Sequence, residues 1–200
     1  MAAAIAARWI GSHQRMLPLL FPMVDTAEPR RLAWHQAADT LAAEVAAGQR
    51  VVLLCEGDAS LFATGSYVLL ALQQRHPHCS CRVIPGITAV SAAAAAANWP
   101  LALQQDQLLV MPCPEREDQL LDVLEDAAGQ ARVLALLKLG RRWLWVRQVL
   151  ERRQLLDSSL FAERVGWPDQ TLQTARDMPG GARPYFSLLL IRQSWPEVLP

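Results

Sequence analysis

The runs VVLLCEGD at 51–58 and CRVIPGITAVSAAAAAA at 81–97 decide the fold. Each is a short apolar stretch that ends at a glycine beside a polar or proline residue and leads into a helical pattern. Strand, glycine loop and helix, twice over, describe a parallel sheet with its ligand beyond the carboxyl ends of the strands. Gly57 lets backbone approach a ligand closely, and Asp58 can accept from hydroxyls or cap the helix that follows. The turn Pro85-Gly86-Ile87-Thr88-Ala89-Val90-Ser91 offers backbone amides and small side chains, with room for a flat ring.

Working outward from these runs, the pattern predicts a helix over 1–11, with Ile5, Trp9 and Ile10 on its apolar face and Gly11 as its stop. Residues 17–24 are apolar but broken by Pro18 and Pro22, which demotes them to an edge strand or an extended connector. Pro29 opens a helix in which Ala33, Ala37, Leu41 and Val45 recur at helical spacing before Gly48 ends it. A helix is expected over 61–74, a polar connector over 75–80, and an almost pure alanine helix over 88–97 whose backbone can lie close to its neighbour.

The composition then shifts, which puts a domain boundary near 101–105 and divides the chain into 1–103 and 104–200. The second half reads as a strand at 108–111, a helix at 117–128, a strand at 133–139 and a helix at 143–153. Strands at 161–165, 171–175 and 185–192 follow, the last after the Gly180-Gly181 turn. No repeat or low-complexity tract beyond the alanine run is visible.

Bulk numbers exclude several classes. Of 200 residues, 52% are hydrophobic and 19% charged, which is a globular composition. Lys plus Arg and Asp plus Glu number 19 each, so no basic field recommends a nucleic-acid partner. No apolar run is long enough for a membrane helix. The four cysteines, at 55, 79, 81 and 113, lack the spacing of a disulfide scaffold and suit a reducing cytoplasm. The opening segment has Arg but no acid before Asp25, which an organelle transit peptide shares; an ordinary helix is the reading taken.

CEGD, VIPGITAVSAAAA, VLALLKLGR, ERVGWP and PYFSLLLIR, in that order over nearly the whole chain, resemble the tetrapyrrole (corrin and porphyrin) methylase family. Its members carry a GD(P) loop and a PGI(T/S) loop around S-adenosylmethionine. The resemblance implies an α/β, two-domain tetrapyrrole methylase-like fold, with a truncated N-terminal parallel sheet and a C-terminal mixed α/β domain. The activity it implies is cofactor-dependent methylation of precorrin-2, or cobalt-factor II, at the C20 meso carbon in cobalamin biosynthesis. Relatives begin with a strand and a GxGPGD-like loop, whereas MAAAIAARWIG matches the segment after that loop. Ala59 also stands where the family has Pro, which leaves the loop freer.

By the same resemblance, Glu56, Gly57, Asp58 and Leu61 line one side of the cofactor, Thr88 and Ala89 its adenosyl side, and Leu137 and Gly166 close over it. The substrate is a large ring bearing several carboxylates, so Lys138, Arg141 and Arg142 at the end of VLALLKLGRR are candidates to hold it. Helix capping by Asp58 and Thr88, and a solvated helix start at the arginines, are the plainer readings. No metal is expected: His76, His78, Cys79 and Cys81 lack the spacing of paired zinc knuckles. Cys55 reads as a small buried hydrophobe, and the seven tryptophans as core or dimer surface.

The family is typically homodimeric. A non-catalytic relative that acts as a binding or dimerisation partner is the second reading. An unrelated nucleotide enzyme is disfavoured, because neither GxGxxG nor GxxxxGK[ST] follows any strand.

Overall fold

A computed structural model describes residues 2–197; Met1, where the first expected helix begins, and residues 198–200 lie outside them. The chain forms two compact units, Met1–Thr88 and Ala89–Pro200. The helix after the PGI turn therefore belongs to the second unit, whereas the sequence reading kept it with the first, ahead of a boundary near 103.

In the first unit, α1 (Ala2–Ala6) continues as a 3-10 turn over Ala7–Trp9. Helices α2 (Ala27–Ala46) and α3 (Thr64–Arg75) pack on each other. Ala33, Ala37, Ala38 and Leu41 supply the buried stripe of α2, and Val68, Ala71 and Leu72 that of α3. Trp34 and Tyr67 stack across the pair with ring centroids 4.2 Å apart. Asp39 on α2 fastens the far end of α3: Arg75 donates from Nε at 2.8 Å and from Nη2 at 2.7 Å, and His76 Nε2 lies 2.7 Å away. Arg75, then His76, hold the Asp39 carboxyl down to about 2.

The expected N-terminal parallel sheet is not formed: residues 51–54 and 81–84 make no strand, and residues 17–24 run as an extended connector. An apolar run becomes a strand only when another backbone takes up its N–H and C=O groups. No such ladder partner is present for these segments among the described residues. Their side chains stay on the surface, with Val52 78% and Ile84 62% exposed.

The second unit is a mixed sheet in the order β1-β2-β5-β3-β4, built from β1 (Gln107–Pro112), β2 (Arg132–Leu137), β3 (Ser159–Glu163), β4 (Thr171–Thr174) and β5 (Ser187–Ile191). The β1–β2 pair is parallel, joined through α5 (Glu117–Ala128), and the other pairs are antiparallel. Strand alternation sorts the core into two faces. Leu134 and Leu136, Phe161, and Leu189 and Ile191 meet α5 and α6 (Trp143–Arg152). Ala135, Leu160 and Ala162, and Leu188 and Leu190 meet Val90, Ala93 and Ala94 of α4 (Ala89–Ala96). The five strands and two helices expected in the second half, and the alanine helix before them, all form within a few residues of their expected positions, each with a packing or ladder partner here.

Candidate functional site

The two glycine loops of the first unit are locked together. Gly57 adopts φ +69°, a left-handed conformation that glycine takes without strain. A Cβ on Gly86 would lie 2.2 Å from the Gly57 carbonyl oxygen and 3.2 Å from the Asp58 Cα. Only glycine permits that approach, so the CEGD and PGI loops touch backbone to backbone.

Asp58 ties the same contact with its carboxylate. One oxygen accepts from the Ser60 N–H at 2.8 Å and from the Ser60 hydroxyl, and the other accepts from the Gly86 N–H at 2.8 Å. The first two bonds form an Asx turn, and the third spans the loops. Asp58 does not cap α3, whose N-cap is Ala63 and makes no side-chain cap bond. The hydroxyl of Ser60, then the Gly86 and Ser60 amides, hold the Asp58 carboxyl below its ordinary value of 3.8.

A depressed pKa makes the interloop bond present above the ordinary carboxylate range and lost as pH falls through the folded value. The Gly86 amide resonance is therefore expected to titrate with a midpoint below 3.8. An Asp58→Asn chain should lose that titration; a wild-type midpoint at or above the ordinary value would refute the bond.

The other expected positions fall as follows. Glu56 is half-buried beside Gly57, Leu61 is 37% exposed and donates its N–H to the Asp58 carbonyl at 3.4 Å, and Thr88 is half-buried. In the second unit Ala89 begins α4, Leu137 ends β2, and Gly166 lies after β3 with φ +84°. The Gly166 N–H donates to Gln170 Oε1 at 3.0 Å. Lys138 also has a left-handed backbone, φ +61°, and its ammonium lies 5.6 Å from the Tyr185 ring centroid.

Arg141 is exposed, whereas Arg142 is engaged locally: its guanidinium pairs with Glu115 and donates to the Lys138 carbonyl. Sequence reasoning missed Ser60 and the bridging bond to Gly86, although Asp-x-Ser is a turn signature that could have flagged the first.

Cys55 places its sulfur where a Cβ on Gly65 would come within 2.5 Å, so helix α3 needs glycine there; burial raises the thiol pKa. No group of three or more His, Cys, Asp or Glu among the described residues is placed to hold a metal, and none of their helices is long and apolar enough to cross a membrane.

The Gly57 and Gly86 backbones in contact, with Asp58 bridging them, make a cradle of glycine loops in the first unit. Residues 2–177 match the family model described as Tetrapyrrole (Corrin/Porphyrin) Methylases, and the chain belongs to that family of S-adenosylmethionine-dependent methyltransferases. It is 28% identical to a cobalt-precorrin-2 C(20)-methyltransferase of Salmonella typhimurium, over 98% of this chain and 80% of that protein. It is 31% identical to a precorrin-2 C(20)-methyltransferase of a Sinorhizobium species, over 88% and 72%. Among solved structures, the methyltransferase CobJ superposes with a TM-score of 0.57 at 26% identity, covering 86% of this chain and 73% of that one.

Proposed function

We propose that this chain methylates C20 of precorrin-2, or of its cobalt-loaded counterpart cobalt-factor II, in cobalamin biosynthesis, acting as a cytoplasmic homodimer. The supporting observation is the Asp58 bridge between the CEGD and PGI loops, which keeps both in the close backbone approach a cofactor cradle needs. The names of the two C20-methyltransferase relatives support the choice of substrate.

When bound, S-adenosylmethionine supplies a methyl group on a positively charged sulfur, open to in-line attack by carbon. No side chain of this chain is assigned a covalent or proton-transfer step. The residues bind and orient, and positioning of this kind is worth about 7–11 kcal/mol of a two-reactant barrier at its best. The donor-contacting set is Glu56, Gly57, Asp58, Leu61, Thr88, Ala89, Leu137 and Gly166. The ring-contacting set is Lys138, Arg141 and Arg142, whose cations suit the carboxylates of the ring.

Calorimetric titration with S-adenosylhomocysteine tests this reading, followed by an assay with precorrin-2. Micromolar binding, about −8 kcal/mol, is the expected result. A Gly86→Ala chain is expected to lose at least tenfold in affinity, because the new methyl meets Gly57 backbone that must move. Absence of binding by the unaltered chain would favour a non-catalytic relative serving as a binding or dimerisation partner, a reading that the unpaired segments at 51–54 and 81–84 recommend.

A further inference from the structure

The stretch Arg50-Val51-Val52-Leu53-Leu54-Cys55-Glu56 lies between two glycines with left-handed backbones, Gly48 at φ +79° and Gly57 at φ +69°. One side of it is seated within the first unit: Leu53 packs against the core of the α2–α3 pair, and the Cys55 sulfur lies against Gly65 of α3. Val52 and Leu54, the alternate residues, stand 78% and 37% exposed. Backbone N–H and C=O groups of residues 50–56 take no backbone partner among the described residues. A stretch with one face seated and its edge bare is a template for another strand.

The ends of the stretch indicate which strand. Antiparallel pairing with the same stretch of a second copy, about a two-fold axis at Leu53, sets Arg50 opposite Glu56 and Val52 opposite Leu54, each pair occurring twice. Arg50, Val52, Leu54 and Glu56 all have even numbers and share the outward face, so ion pairs flank apolar pairs along it. A shift of two residues either way sets Arg50 against Leu54 or Glu56 against Val52. Neither Arg50 nor Glu56 has an ion pair or hydrogen bond among the described residues. One stretch thus supplies both members of every charged pair, which singles out a second copy over a strand of another protein.

We propose that residues 50–56 form an isologous antiparallel strand pair between two copies of this chain, with Arg50 and Glu56 paired reciprocally across the two-fold axis. This rests on the homodimer reading and deepens it by naming the surface. A donor contact made by the Glu56 backbone leaves its carboxylate available to Arg50.

The test is sedimentation equilibrium of the full chain, unaltered, as Arg50→Glu, as Glu56→Arg, and as an equimolar mixture of the two variants. The unaltered chain is expected to dimerise. Each single reversal sets like charges opposite each other at both ends and should weaken self-association by about tenfold or more. In the mixture every introduced charge meets its opposite, so a heterodimer of about the parent affinity should form. Val52→Asp should also weaken the dimer, and with Arg50→Glu it keeps the surface testable if Glu56→Arg fails to fold. Amide exchange reads the backbone directly: alternate amides of 51–55 should slow in the dimer and not in the monomer.

A dimer indifferent to both reversals would overturn this interface and leave the homodimer reading standing. So would weakening by the single variants without recovery in the mixture, or a dimer whose amides at 51–55 all exchange freely, which would leave the edge to another occupant. A chain that stays monomeric removes the homodimer reading and this interface together, and leaves the methylation reading to its own titration.

Discussion

Replacing Arg192 with methionine is expected to destabilise the second unit by about 3–5 kcal/mol, because it strands a buried charge. Arg192 and Asp106 are 2% and 6% exposed and lie 2.6 Å apart. The guanidinium also donates to the carbonyls of Pro100 and Leu101, at 3.2 and 3.3 Å, and sits 5.6 Å from the ring of Trp99 and 4.5 Å from that of Trp195. Without it, Asp106 keeps the Leu103 N–H at 2.8 Å but has lost its counter-charge. The segment 99–106 then loses the ion pair and two hydrogen bonds that tie it to the residue after β5.

The companion Asp106→Leu, Arg192→Met chain separates a pairing energy from the cost of stranding. Apolar replacement of both members commonly restores most of the stability that removal of one takes away. Denaturant midpoints of the single and double variants decide it. A single variant as stable as the parent would show that water reaches Asp106 and that the pair contributes little.

The second large effect is expected from Trp143→Ala, at about 3–5 kcal/mol. Trp143 is wholly enclosed at the start of α6, with its ring 4.8 Å from that of Phe161 and its indole N–H donating to the Pro179 carbonyl at 3.0 Å. Truncation opens a cavity between α6 and β3 and leaves that carbonyl with Arg183 as its remaining donor, at 3.1 Å. Amide exchange should accelerate through β2, β3 and β5 while the α2–α3 pair keeps its protection. Equal acceleration in both units would mean that they unfold as one body.

Much of this was legible beforehand, and the residues show why. Alternation in Val133, Leu134, Ala135 and Leu136 cannot be seen, since all four are buried; the run was nonetheless readable as a strand because Gly140 and an amphipathic helix follow it. The helix over 117–128 announced itself through acids in its first turn and a leucine stripe. The run Val51, Val52, Leu53 and Leu54 carries the same local signal as β2, yet a strand is a property of two segments, and no backbone among the described residues pairs with this one.

In the candidate site, the Gly57 and Gly86 loops were legible because glycine has so few reasons to be where it is. The direction of Asp58 was not, because an Asp before a helix serves equally as a cap, and only the position of Ala63 excludes it.

The strand order has a consequence for how the second unit comes into being. Of the five strands, β5 is the last in sequence, yet it lies in the middle of the sheet, between β2 and β3. Until it arrives, the nascent chain holds two separate ribbons, β1 with β2 and β3 with β4, each with an open edge facing the gap. Residues 187–191 must therefore be synthesised before the two ribbons join into one sheet. The wait exposes just those backbone groups that a neighbouring nascent chain could capture, which makes this interval the one most open to misassembly.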